Sequence, residues 1–183
     1  MKNKLHHSIV RRIAQTCVGA SALRNQGSPG IIEVCRNYFE KQWGNELGDF
    51  FRAIKSHEEY KNFLDLHTNL LSNKFPTPTD GGKKSWGGAR KGLNLFFAEV
   101  VKDRYLCSDY IFDENDLKNL EVPLDKDVSD KLKEASPSIT KWLGIRHLTE
   151  EMSEEYQKIA LNEATVKEIH RYQLDLLYWR AGK

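Results

Sequence analysis

Trp86-Gly87-Gly88-Ala89-Arg90-Lys91-Gly92-Leu93-Asn94-Leu95-Phe96-Phe97-Ala98-Glu99-Val100-Val101 opens on glycines and closes on a repeating apolar face. Its first part reads as a glycine-rich turn entering a helix. Its second part sets Leu93, Phe96, Phe97, Val100 and Val101 three and four residues apart, the spacing of a helix with one buried side. Upstream, Pro76-Thr77-Pro78-Thr79-Asp80-Gly81-Gly82 is a connector, since two prolines and two glycines interrupt any helix. Before it, Tyr60, Phe63, Leu64, His67, Leu70 and Leu71 form another helical stripe. Downstream, Pro123 biases Val122-Pro123-Leu124 toward an extended path, and Asp125 is placed to cap the next helix.

The outer segments repeat this pattern. Leu5, Ile9, Ile13 and Cys17 recur at helical spacing, a polar loop spans Ser21 to Pro29, and Pro29 can open a helix that buries Ile31, Ile32, Cys35 and Phe39. A helix from Thr149 to Ala164, with Thr149 as its cap, precedes a last one carrying Ile169, Tyr172, Leu176, Leu177 and Trp179. Strand-like stretches are nearly absent, so the expected fold class is all-α. The chain has 183 residues, 39% hydrophobic and 30% charged, which suits a single helical domain with one sizeable core.

A formal charge of only +2 excludes a general polycation, so contact with nucleic acid would depend on where the charges sit. Their distribution is uneven. No acid precedes Glu33 and none lies between Gly81 and Ala98, whereas Asp109 to Glu134 is strongly acidic. Solvated faces are the plain alternative for such runs. Cys17, Cys35 and Cys107 have neither disulfide-framework nor zinc spacing, and the six histidines show no metal pattern. The thiols therefore suit a reducing cytoplasm. No secretory signal and no run of about 18 apolar residues is present, so the expectation is a soluble, unprocessed chain with no membrane partner.

Gly87-Gly88-Ala89-Arg90-Lys91 resembles the G-x-G-x-K hairpin of helix-hairpin-helix DNA glycosylases, with Ala89 where the second glycine is usual. Val122 to Val128 resembles the Val-Pro-x-Asp segment that bears that family's catalytic aspartate, and the interval from Lys91 to Asp125 is similar to that of the archaeal 8-oxoguanine glycosylase branch. Asp175 and Trp179, one turn apart, look like that branch's base-lining pair, and Asn25-Gln26-Gly27 looks like its polar loop facing the lesion. Four short motifs in family order thus span about Ala22 to Gly182.

The resemblance implies a helical glycosylase fold with the helix-hairpin-helix at about 75–106. The segment order allows two lobes, with a cleft between 1–30 plus 120–183 and 31–119. It implies a monomer acting on double-stranded DNA with a damaged base, removing an oxidised purine such as 8-oxoguanine through a lysine Schiff base. Lys91 would be the nucleophile, activated by burial and by its basic neighbour Arg90, and Asp125 the essential carboxylate. Gln26, Asp175, Trp179 and Phe63 would form the base pocket, with Phe75 a second candidate for the stacking aromatic. Gly87, Gly88, Ala89, Arg90, Arg24 and Asn25 would hold the DNA backbone. No cofactor is implied beyond room for a monovalent cation at the hairpin.

Each residue also has a plainer reading. Lys91 would be a surface lysine, Asp125 only a cap, Gln26 a turn residue and Trp179 part of the core, while Asp175 would pair with Arg171 or another base. At the level of the whole chain, a non-catalytic helix-hairpin-helix DNA-binding protein and an all-helical interaction protein without DNA binding remain open.

Overall fold

The computed structural model describes residues 2–23, 26, 28–110 and 112–179. Arg24, Asn25 and Gly27 of the expected polar loop lie outside them. The described residues are helical with no strand: α1 (Lys2–Cys17), α2 (Ile31–Trp43), α3 (Gly48–Ala53), α4 (His57–Lys74), α5 (Trp86–Val100), α6 (Arg104–Asp109), α7 (Lys126–Ala135), α8 (Glu150–Val166) and α9 (Leu174–Tyr178). Short 3₁₀ turns occupy Glu114–Asn119, Ile145–His147 and Arg171–Gln173.

α5 is the axis of the molecule. α1, α2 and α4 pack on it, and so do the 3₁₀ turn Ile145–His147 and α8 from elsewhere. Its apolar face does what its spacing requires. Phe96 stacks on Phe39 with ring centroids 4.7 Å apart, and Phe97 stacks on Phe50 at 4.1 Å. These rings belong to a first apolar cluster, built from residues up to Leu120 together with Tyr172. Val122, Leu124, Val128, Tyr156 and Leu174 belong to a second. The division falls at Glu121, not where the two-lobed expectation drew it: Val10, Ile13, Ala14 and Val18 belong to the first cluster, so α1 joins 31–119 and not 120–183.

Two expected faces are rotated. On α1 the buried positions are His6, Val10, Ile13 and Ala14, while Leu5 faces solvent. At the chain's end Tyr172, Leu174 and Tyr178 are buried, and Leu176, Leu177 and Trp179 are exposed. The caps fall where their local chemistry puts them. Thr149 accepts from the Met152 amide and Ser56 from the Glu59 amide, each satisfying a donor left over at a helix start.

An extended strap, residues 120–125, joins the two clusters and is held from both sides. Arg171 donates to the carbonyls of Asn119 (2.8 Å) and Leu120 (3.0 Å). The Gln157 amide group binds both the Val122 N–H (3.1 Å) and its carbonyl (2.8 Å). Arg90 of α5 reaches Glu121 through two bonds of 2.9 Å and Asp65 of α4 through a third of 2.9 Å. Burial works against the Glu121 charge, but the Arg90 and Arg171 guanidiniums more than offset it and hold its carboxyl below the usual glutamate range. Removing one member of such a buried pair strands the other. Glu121→Ala is expected to cost about 3–5 kcal/mol of unfolding free energy, measured by urea denaturation, with Arg90 left to Asp65 alone and Arg171 without its facing charge.

Candidate functional site

The site begins at the start of α5. Ser85 caps that helix by accepting from the Gly88 amide (2.9 Å), and its hydroxyl donates to Gln26 Oε1 (2.6 Å). One serine thus starts the helix and ties Gln26 to it. Five residues into α5, Lys91 turns away from the side taken by Arg90, because neighbours on a helix diverge by about 100°. Its ammonium donates to Asp125 Oδ2 at 3.2 Å. The other Asp125 oxygen accepts from the Val128 amide at 3.0 Å and caps α7. The cap and the lysine partner are therefore the same carboxylate, with one oxygen for each task.

Lys91 and Asp125 open onto a cleft of about 720 Å³ between the two clusters, shared with Gln26, Trp142, Arg146 and Trp179. That volume lies in the range of small-molecule sites, about 300–1,000 Å³. Lys91 is only 5% exposed and Gln26 is also buried, whereas Trp179 presents 59% of its surface. A smaller cavity of about 80 Å³ lies against Arg90, Glu121 and Arg171, too small to enclose a nucleobase. Among the described residues no group of three or more His, Cys, Asp or Glu side chains is arranged to hold a metal ion. No helix among them is long and apolar enough to cross a membrane.

Asp175 sits beside this cleft, on α9, partly buried and close enough to interact electrostatically with Lys91 and Asp125. Burial, reinforced by the Asp125 charge, pushes its carboxyl up to about 6, against the opposing pull of Lys91. Arg171, a partner considered for it, is occupied with strap carbonyls instead.

Several expected roles are corrected. Gly87, Gly88 and Ala89 form the first turn of α5 and are buried, not an exposed turn ahead of the helix. A Cβ on Gly87 would stand 2.2 Å from the Ile145 carbonyl oxygen and 2.6 Å from Leu148 Cβ, so this glycine serves close packing of the 145–148 segment. The Gly88 amide is taken by Ser85. Arg90, 3% exposed and bound to Glu121 and Asp65, is turned inward and cannot reach a phosphate; nor does it face Lys91 as an activating cation. Phe63 lies among Trp43, His67 and Phe97 in the first cluster, away from the cleft, and Phe75 is buried in that same cluster. The cleft's second aromatic is Trp142, which the sequence reading missed. Its run, Lys141-Trp142-Leu143-Gly144-Ile145-Arg146-His147, belongs to no recognisable motif; the only hint is two large apolar residues before a glycine in a basic loop.

Comparisons with protein-family models, with curated proteins and with solved structures found no match to this chain.

Asp175 has a consequence for stability. An unfolded aspartate titrates near 3.9, so between there and about 6 the folded chain holds a proton that the unfolded chain has released. Stability contributed by this group therefore falls as pH rises through that window, and the penalty is complete at neutral pH. Asp175→Asn is expected to raise the thermal midpoint at pH 7, with the gain shrinking toward pH 4. Thermal unfolding followed at both pH values measures it.

Proposed function

We propose that this chain is a DNA glycosylase with an associated AP-lyase step, excising an oxidised purine, 8-oxoguanine first among them, from double-stranded DNA. One observation carries the reading: a buried lysine and a carboxylate, far apart in sequence, meet at 3.2 Å on the wall of a cleft with ample room for a nucleobase. The motif resemblance at Lys91, Asp125, Asp175 and Trp179 supports the same reading independently of the fold.

At rest the Lys91 ammonium is bound to Asp125. Transfer of one proton to that carboxylate frees the amine lone pair for attack on the sugar C1′. The glycosidic bond breaks with its electrons moving onto the base, which leaves after taking up a proton. One of the two protons then on nitrogen passes to the ring oxygen as the C1′–O4′ bond breaks, giving the protonated Schiff base, and loss of a C2′ proton to solvent expels the 3′ phosphate and nicks the strand. The Asp125 carboxylate, when ionised, faces the positive charge that develops on the sugar. The extruded base would stack on Trp179, with Gln26 and Asp175 as its hydrogen-bonding partners. A partly protonated Asp175 can donate as well as accept, which suits a base edge carrying both kinds of group. The reaction needs no metal or cofactor.

The test is a duplex carrying 8-oxoguanine, incubated with the protein and borohydride. Wild type is expected to form a covalent adduct and Lys91→Gln none. Asp125→Asn retains a capping oxygen for α7 but should slow base release by about a hundredfold or more. Absence of an adduct with wild type, or its persistence in Lys91→Gln, defeats the assignment. Salt-sensitive duplex binding without cleavage would instead identify a non-catalytic DNA-binding protein.

A further inference from the structure

We infer that Leu143 is the wedge that enters the DNA stack as a nucleotide is drawn into the cleft. The inference rests on the glycosylase reading for the location of the extruded base, and on the structure of the 140–148 loop for the rest.

Leu143 lines the cleft, yet 58% of its surface is exposed, while its neighbours Trp142 and Ile145 are partly buried. A lone exposed leucine is ordinary. This one differs in being held on a rigid mount at the rim of a cavity. On one side Tyr156 donates to the Thr140 carbonyl (2.8 Å), the Thr140 amide donates to Glu155 (3.2 Å), and Trp142 meets the Tyr156 ring edge-on at 5.6 Å. On the other, Arg146 donates to Asp80 (2.6 Å), and the absence of a side chain on Gly87 lets the Ile145 carbonyl lie against α5. Gly144, with φ at 97°, makes the bend between the two anchors in a conformation that other residues adopt at a cost.

Such a mount loses little conformational freedom on binding, which is what inserting a side chain between bases requires. A base that leaves the duplex opens a gap, and apolar side chains that fill such gaps offset part of the unstacking cost. Lys141 and His147 are exposed on either side of the wedge, at positions suited to the flanking phosphates. The setting favours this occupant over an apolar protein partner, because Lys126, Lys141 and Arg146 surround the leucine and the aromatic rings that share its cleft can stack on bases.

The experiment uses an 8-oxoguanine duplex with 2-aminopurine at the neighbouring step. Binding of Lys91→Gln should raise the 2-aminopurine fluorescence as that step unstacks. Lys91→Gln/Leu143→Ala should bind without the rise, and Lys91→Gln/Leu143→Ile, which keeps the bulk, should restore it. In borohydride trapping, Leu143→Ala should lower the rate on duplex by about tenfold or more while leaving single-stranded substrate unaffected, since only the duplex has a stack to open. Equal fluorescence with and without Leu143, no rise with Lys91→Gln, failure of Lys91→Gln to bind the duplex, or an equal loss on single strands overturns the wedge. A Leu143-dependent rise with no adduct from wild type on either substrate would defeat the glycosylase reading alone.

Discussion

The ion cluster of Arg90, Glu121 and Asp65 fixes the relation of α5 to the strap, and everything in the cleft depends on that relation. A guanidinium buried to this degree is tolerated only when its charge is matched and its donors are filled, which leaves α5 one rotation about its axis. Once Arg90 is committed inward, Lys91 must face the cleft. Glu121 is likewise committed, and four residues of extended chain carry Asp125 to the lysine. Two adjacent bases on a helix thus meet two spaced acids on a strap, and the first pairing sets the register of the second.

The cleft runs against the economy of the core around it. Lys91 is buried with one carboxylate bound to it and a second nearby, Asp175 is pushed toward neutrality near a like charge, and Trp179 is more than half exposed. Folding alone favours none of these. These three departures meet at the cleft on which the proposed function rests. The rest of α5, by contrast, is conventional, with stacked aromatic rings and Gly87 where the Ile145 carbonyl approaches.

What the sequence revealed depended on how local the cause was. The all-α class, the loop before α5, and the caps at Asp125 and Thr149 follow from spacing and from side chains acting on their own backbone, so they were legible. The buried face of α1 was not, since Leu5-Ile9-Ile13 and His6-Val10-Ile13 both satisfy the helical period and only the partner helix decides between them. Gly87 and Gly88 failed for a related reason: a glycine that makes a turn and one that admits a neighbouring carbonyl look alike in a string of letters. Phe63 was expected at the pocket and Trp142 was not, because an aromatic ring in a helical stripe and one in a loop give no sign of which way they face. The meeting of Lys91 with Asp125 was legible only through motif order; its immediate cause, Arg90 turning inward, was not.

The two apolar clusters suggest a molecule that could be cut at Glu121, but the clamps on the strap forbid it. Gln157 and Arg171, which grip it, lie 35 and 51 residues beyond the positions they hold. During synthesis, therefore, Lys91 and Asp125 both emerge well before Gln157 and Arg171 can grip the strap, and until then Arg90 holds it through Glu121. The strap is clamped from both sides only after the helices that follow have been made and have folded back. The catalytic hypothesis thus concerns a property of the finished chain, and neither half would carry it if expressed alone.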